Sequence, residues 1–536
     1  MAVEKLIVDH IDTWTTALQT RSTAGRGSSG KIDLYGIKKL RELILELAVR
    51  GKLVPQDPND EPASVLLERI AAEKAELVKQ GKIKKPKPLP EISEEEKPFE
   101  LPGGWEWARF ETALDFSGGS QPPKSFFIEE PKEGYVQLIQ IRDLGEYPQP
   151  VYVPINKVTK LCTSEDILIG RYGASVGKVF WGKNGAYNVA LIKIDNSYNL
   201  YNNQFLFWLL KSPLGQSLFS GISRSAQDGF NKSDIAEKLL PVLSKKEQSK
   251  IVVRINDLMS LCDQLEQHSL SSLDAHQQLV ETLLTTLTDS QNADELAESW
   301  ARISEHFDTL FTTEASIDAL KQTILQLAVM GKLVQSSDIV EHKKLKTFLS
   351  FGPRNGFSPV ESKKNTQIKV LKLGATSYGE LNIQESKFVD IDIDNNSHLY
   401  IKEGDILIQR GNSANFVGCN VLVKENHKNI IYPDLMMKIR TNEDLLPEYA
   451  SIWLSSPLAR GFMWDRMTGT SGTMPKISKK VVEEIPIIVP SIATQQKCIA
   501  FVNLAIKICS DLKIRLQTSQ QTQFHLADAL TDAAIN

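Results

Sequence analysis

The sequence predicts an α+β protein with a pseudo-twofold internal repeat, in which two similar globular α/β blocks are separated by long, antiparallel, coiled-coil-like helices. Three observations predict it. Residues 40–54 (LRELILELAVRGKLV) and 320–334 (LKQTILQLAVMGKLV) share ten of fifteen positions at an offset of 280. That offset exceeds the roughly 20–50 residues of a solenoid unit, so a half-molecule is duplicated. Each copy is followed by short β-type apolar runs punctuated by glycine turns. Each half then closes in a helix of 4-3 apolar spacing: Ile251, Ile255, Leu258, Cys262 and Leu265 in the first, Ile499, Val502, Ile506 and Cys509 in the second.

Taken in chain order, residues 1–55 form a helical region whose Gly51, like Gly331 later, stands where a helix C-cap glycine belongs. Residues 20–30 (TRSTAGRGSSG) read as a flexible stretch. A charged helix (about 62–80) and a Lys/Pro/Glu linker (82–104) occupy 56–100 and its margin, with a composition opposed to a core role. The first block spans 101–244, the central helical spacer 245–335, the second block 336–490 and the last helix 491–536. Inside the blocks, SEDILIGR (164–171) matches EGDILIQR (403–410), each a short strand ending in arginine and a turn. A helix-like segment ending in Ser-Pro follows at 205–215 and 449–459, then a polar loop at 223–234 and 467–478. A proline-marked strand then leads into the long helix at 239–255 and 484–502. The central helix continues past Leu279, Leu283 and Leu287 with polar interruptions at Ser269 and His276. At about 1.5 Å per residue it reaches roughly 60 Å. A helical hairpin serving only dimerisation fits the heptads too; the presence of such helices before and after each block favours a spacer.

Of the 536 residues 41% are hydrophobic and 24% charged, an ordinary globular composition. No apolar run reaches the roughly 18 residues of a membrane span, and the N-terminus carries acids where a signal peptide is apolar. Five cysteines without a CxxC pair fit a reducing cytoplasm and no structural zinc. The net charge of −4 is uneven: 101–245 hold 15 basic and 14 acidic residues, 341–490 hold 20 and 17, and 246–335 hold 6 and 14. The acid sits in the connector, which leaves room for basic faces on the blocks.

Catalytic chemistry is not visible. Gly25 to Lys31 approaches a phosphate-binding loop, but Ile32 replaces the required hydroxyl and no strand precedes it. Glu95-Glu96-Lys97 has the ExK of a nuclease centre within a linker, where a solvated charge run is the simpler reading. An amino-methyltransferase tetrad and a ligand-spaced histidine pair are missing from the sequence. Trp105 and Trp107, alternating at the opening of a strand, read as core rather than as base-stacking groups.

Several of these features together resemble the specificity (S) subunits of type I restriction–modification enzymes: LAVRGKLV/LAVMGKLV, LPGGWEWARF (101–110), the paired DILI-x-R strands, Pro241 with Glu247-Gln248, and RINDLMSLCDQLE (254–266). The second block departs by lacking the Gly-Trp opening, and Gln495-Gln496 replaces Glu-Gln. The resemblance covers nearly the whole chain. It implies a non-catalytic adaptor whose two target-recognition domains each read half of a bipartite double-stranded DNA site. Two methyltransferase (M) subunits, carrying S-adenosylmethionine for adenine-N6 methylation, pack on the helices. Restriction (R) subunits add ATP- and Mg-dependent cleavage. Cofactors are thus expected on partners and none, including metals, on this chain. A stand-alone tandem DNA-binding protein and a coiled-coil protein scaffold are the other classes the residues allow.

DNA readout calls for Arg or Lys to guanine, Asn or Gln to adenine, and polar groups to phosphate, on loops held by a rigid sheet. In the first block the candidates are Lys124, Gln140, Arg142, Arg171, Tyr172, Lys178, Arg224, Gln227, Asn231 and Lys232. In the second they are Lys372, Arg410, Asn412, Asn415, Thr470, Ser471 and Lys476. Arg171 and Arg410 occupy equivalent places, which favours a shared phosphate or framework role, with a structural salt bridge as the plainer alternative. Positions that differ between blocks, such as Gln140, Arg142 and Lys372, are better placed to read different bases.

Overall fold

Gly51 and Gly331 end the two copies of the repeated helix in one way. The computed structural model describes residues 3–21, 31–82, 89–221, 229–334, 341–394, 396–469 and 474–535. In it these helices run Tyr35–Val49 and Glu314–Val329. The glycines take φ of +66° and +71°. The amides of Gly51 and Lys52 return to the carbonyls of Ala48 and Leu47 at 3.3 and 2.8 Å, and those of Gly331 and Lys332 to Ala328 and Leu327 at 3.2 and 3.0 Å. This closure needs a left-handed residue, which glycine supplies without a Cβ penalty.

The lysine after each glycine has its own task. Lys52 Nζ donates to the carbonyl of Ile535, at the end of one long helix (Ile492–Ile535). Lys332 Nζ donates to the carbonyls of Thr288 and Ser290 at 2.6 and 2.7 Å, at the end of the other (Lys245–Asp289). The last carbonyls of a helix have no internal donor and carry its negative dipole end, so a cation there is favoured. The repeated Gly-Lys thus closes its own helix and caps a second one.

The chain forms two compact units, 1–18 with 34–269 and 523–536, and 19–33 with 270–522. Each unit holds one copy of the repeated helix, the beginning of one long helix and the end of the other. Along the first long helix Ile251, Ile255, Leu258 and Cys262 are buried, as the spacing requires. Further on the seam departs from the sequence reading: Leu279 is exposed, while Val280, Leu284 and Leu287 are buried. Ser269 and His276 belong to the seam itself. Ser269 is buried and the His276 ring meets the Thr309 carbonyl at 3.1 Å, so the 4-3 count leads from His276 to Val280.

The blocks share one strand plan. In the first unit, strands 115–118, 191–195, 167–170 and 179–181 lie in that order in an antiparallel sheet. A second sheet has the order 152–154, 135–139, 185–187, 161–162, with 135–139 and 185–187 parallel. In the second unit the order 349–355, 436–441, 406–409, 420–422 repeats the first sheet, and 386–389, 368–371, 430–431 repeats the other, again with one parallel pair. The DILI runs are central strands with four consecutive buried positions, Ile167–Gly170 and Ile406–Gln409. The aspartate before each locks the preceding turn: Asp166 accepts from the amide of Thr163 at 2.7 Å, Asp405 from that of Lys402 at 2.8 Å. Asp405 also faces the buried Lys438 Nζ at 3.1 Å, and burial pulls the lysine below its usual range against the pull of that carboxylate.

Each block is fixed to its long helix by a buried glutamine. Gln248 Nε2 donates to the carbonyls of Leu200 and Leu243 at 3.1 and 3.0 Å, and its Oε1 accepts from the amide of Asn202 at 2.6 Å. Gln495 Nε2 donates to those of Asp444 and Pro490 at 2.8 and 2.9 Å, and its Oε1 accepts from the amide of Leu446 at 2.9 Å. Gln495 is therefore the counterpart of Gln248, and the residue matching Glu247 is Thr494, a one-place correction to the Glu-Gln/Gln-Gln pairing read from sequence. Trp105 is buried as a core residue, with its Nε1 donating to Glu247 Oε2 at 2.9 Å. The second block lacks both this tryptophan and this glutamate, so its two departures are one lost contact. Burial pushes the Glu247 carboxyl upward and the indole opposes it. Glu96 of the ExK run pairs with Arg109 Nη2 at 2.9 Å, which holds its carboxyl below the ordinary range.

Two predictions follow from these contacts. Trp105→Phe is expected to lower the free energy of urea unfolding by about 1–2 kcal/mol through the stranded carboxylate. Trp105→Phe with Glu247→Thr should cost less than the sum of the single changes by at least about 0.5 kcal/mol. Lys52→Ala and Lys332→Ala should each remove about 0.3–1 kcal/mol, with faster amide exchange confined to the ends of the helices they cap, near 530–535 and 285–289 respectively.

Candidate nucleic-acid interface

The loops that carry most candidates leave from a junction where the two sheets of a block meet. In the first block the backbone passes from strand 185–187 of one sheet to strand 191–195 of the other. Around this passage Ser120 N donates to Tyr187 O at 3.1 Å, Asn188 N to Ile139 O at 3.0 Å, Gly119 N to Leu191 O at 3.0 Å and Arg171 N to Ala190 O at 2.9 Å. In the second block Phe357 N donates to Tyr432 O at 3.0 Å, Gly356 N to Met436 O at 3.2 Å and Arg410 N to Leu435 O at 2.9 Å. A Cβ on Gly119 would stand 2.0 Å from the Asn188 carbonyl oxygen, and one on Gly356 2.0 Å from that of Tyr432. Neither glycine can be replaced without moving backbone. Tyr187 and Tyr432 are fully buried, with hydroxyls 2.7 Å from Ser117 Oγ and 3.1 Å from Arg354 O. Burial raises both phenols, so they stay neutral and hold the junction by hydrogen bonds.

Arg171, Tyr172 and Asn231 come together on the first block. Arg171 Nε donates to Phe230 O and its Nη2 to Asn231 Oδ1, both at 3.0 Å, and its guanidinium lies 5.4 Å from the Tyr172 ring centre. Tyr172 packs so closely on Gly229 that a Cβ there would meet its ring at 2.6 Å. Arg171 thus ties two loops together. Lys232 faces Asp115 at 2.7 Å, and Lys178 is exposed. Arg142 reaches Gln149 at 3.4 Å, and Lys124 is exposed on the single turn Lys124–Phe126. Among the described residues no hydrogen bond or ion pair ties Lys124 or Arg142 to the Arg171 group. Gln140 forms a capping box with Asp143, its backbone N–H donating to Asp143 Oδ2 at 2.9 Å and its side chain accepting from the Asp143 backbone, while its Nε2 is buried without an acceptor among the described residues.

On the second block Arg410, Asn412 and Lys476 are brought together by backbone pairing: Ile477 N donates to Arg410 O at 2.8 Å, Asn412 N to Pro475 O at 3.3 Å, and Gly411 bridges Lys476. Arg410 differs from Arg171, since its Nε is buried without a partner among the described residues. Asn412 Nδ2 donates to Gln409 Oε1 at 2.7 Å. Asn415 is exposed, and its carbonyl accepts from Arg460 Nη2 at 2.7 Å. Lys372 and Lys476 are exposed. Arg224, Gln227, Thr470 and Ser471, like most of the Gly25–Lys31 run, lie outside the described residues.

Gln409 was not singled out by the sequence. It is fully buried, and its Nε2 donates to Leu373 O and Thr376 Oγ1 at 2.9 Å and to Ser377 Oγ at 3.0 Å. Gly170 takes its place in the first block, where a Cβ would stand 2.1 Å from the Ser175 carbonyl oxygen. The one mismatch inside the matched DILI-x-R strands was the available signal. Among the described residues no group of His, Cys, Asp or Glu is arranged to hold a metal ion, and no helix is long and apolar enough to cross a membrane.

Residues 110–275 and 337–517 match the family described as the type I restriction modification DNA specificity domain. The chain is 43% identical to the type I restriction enzyme EcoEI specificity subunit of Escherichia coli and 42% identical to the EcoAI specificity subunit of the same species, with 100% of each chain covered. A solved chain from work on complex assembly and conformational transition of the type I R-M system is 14% identical, with a TM-score of 0.51 over 82% of this chain and 99% of that one, a likeness of fold. The chain belongs to the family of type I restriction–modification DNA specificity subunits.

Arg171→Ala should lower unfolding free energy by about 1–3 kcal/mol, because a buried carbonyl and an amide oxygen lose their donor. Arg410→Ala should cost less than about 1 kcal/mol, having no such bonds to lose. Equal losses in chemical unfolding would show that the two arginines do the same work.

Proposed function

We propose that residues 101–244 and 336–490 are target-recognition domains that each read half of a bipartite site in double-stranded DNA. The helical regions 1–55, 245–335 and 491–536 hold two methyltransferase subunits, and restriction subunits join that assembly in the cytoplasm. S-adenosylmethionine, ATP and Mg then belong to the partners, and adenine methylation or cleavage is chemistry that this chain directs. The observation that supports this reading best is the repeated docking of one block plan on a long helix through the same buried amide, Gln248 and Gln495. Two copies of one scaffold carrying different loops suit two different half-sites. Exposed lysines on both blocks, Lys124, Lys178 and Lys476, suit phosphate contact, which positions a protein on DNA without reading sequence.

The purified chain should show no methyl transfer and no cleavage, and methylation should appear when methyltransferase subunits and S-adenosylmethionine are added. Transfer by the chain alone would overturn the adaptor reading. Replacing residues 105–240 by the matching block of a relative should change one half of the methylated site, read by methylome sequencing, and leave the other intact. A change in both halves would contradict independent readout.

A further inference from the structure

The junction that organises each block has a fixed part and a changed part. The glycine, the buried tyrosine and the arginine recur as Gly119/Gly356, Tyr187/Tyr432 and Arg171/Arg410. The strand registers then align the residues at the rim. Tyr187 pairs with Ile139 and Ile431 with Val370, so the residue that follows the strand is Gln140 in one block and Lys372 in the other. The residue after the glycine is Ser120 or Phe357, and the residue before it is Gly118 or Asn355. The scaffold is kept and its rim is rewritten.

The rim also carries polar atoms with nothing to bond. Ser120 Oγ, Gln140 Nε2 and Asn355 Oδ1 are buried and without a hydrogen-bond partner among the described residues, as is Arg410 Nε. The other such side-chain atoms in the two blocks are on Trp107 and Arg460. Each block thus keeps two such atoms beside its junction, on side chains that are only partly buried, and a polar group of this kind gains from a partner supplied from outside. The exposed Phe357 at the same rim adds apolar surface.

We propose that this rim reads bases: Ser120 and Gln140 in the first half-site, Asn355, Phe357 and Lys372 in the second. The inference rests on the DNA-reading function proposed above and assigns its chemistry. A glutamine amide matches the N6 donor and N7 acceptor of adenine in the major groove. A lysine matches the O6 and N7 acceptors of guanine, and a phenyl ring suits the thymine methyl. Gln140 therefore contacts an adenine of the first half-site and Lys372 a guanine of the second. Arg171, tied between loops, positions this surface.

The test uses the chain assembled with methyltransferase subunits and S-adenosylmethionine on a library of randomised sites, with thermal unfolding of each variant alongside. Gln140→Lys should lower methylation of the parent site roughly 10- to 100-fold. It should also move the preference at one base pair of the first half from A toward G, with the second half untouched. Lys372→Gln should do the converse in the second half. If the Gln140 variant unfolds, Ser120→Ala and Asn355→Ala, which remove a hydroxyl and a carboxamide and add no bulk, should each relax discrimination at one position of their own half. Folded variants with parental preferences in both halves overturn the proposal. So does a uniform loss on all sequences, the signature of a phosphate contact. A parent complex without sequence preference in either half would overturn the DNA-reading function itself, a different outcome from any of these.

Discussion

Everything a block can present depends on how firmly it is fixed to its helix, and that fixing rests on a buried amide. Gln248 and Gln495 sit in the first turns of the long helices, fully buried, each with its amide nitrogen on two backbone carbonyls and its oxygen on one backbone amide. Glutamine is the side chain that can donate twice and accept in a neutral form at this reach. A glutamate would bring a charge and no donors, and a leucine would strand three backbone groups. A saturated polar contact inside an apolar setting also fixes orientation, which apolar packing alone leaves loose. One residue thus sets the angle at which a loop system leaves its support.

Duplication shows which contacts are required and which are optional. The Gly-Lys pair survives in both copies because each residue satisfies backbone groups that otherwise have no partner, as at Lys332 and the Thr288 and Ser290 carbonyls. The Trp105–Glu247 bond exists in one copy only, and both of its members are absent from the other. Losing either alone leaves a buried donor or a buried carboxylate without its mate; losing both removes the cost. Substitutions at the two ends of one buried contact are coupled, whatever their distance in the chain.

Much of this was legible in the sequence, and the division between legible and hidden is physical. Helix periodicity, a C-cap glycine and a four-residue buried strand are local signals, and residues such as Cys262, Gly331 and Ile406 are where they imply. Leu279 misled because the seam runs through Ser269 and His276, and apolarity alone cannot mark a seam with polar members. Arg171 could be matched to Arg410 but its partners Phe230 and Asn231 lie about sixty residues away in a loop of no regular pattern. The same limit hid Gln409, whose partners follow another strand. Sheet order is non-local, so the junction at Tyr187 and Tyr432 emerges only when strands far apart in sequence are paired.

That junction separates two kinds of constraint. Gly119 and Gly356 are fixed by space, since a single added carbon would sit within 2.0 Å of a carbonyl oxygen. Tyr187 and Tyr432 are fixed by burial and a satisfied hydroxyl. Ser120, Asn355 and Lys372 answer to neither, and Gln140 is held only by the capping box it shares with Asp143. Positions under steric constraint hold the backbone still while positions free of it change their chemistry. A subunit whose partners supply the reaction needs this separation. A change in those positions then leaves intact the buried contacts, Gln248 and Gln495, that fix each block to its long helix.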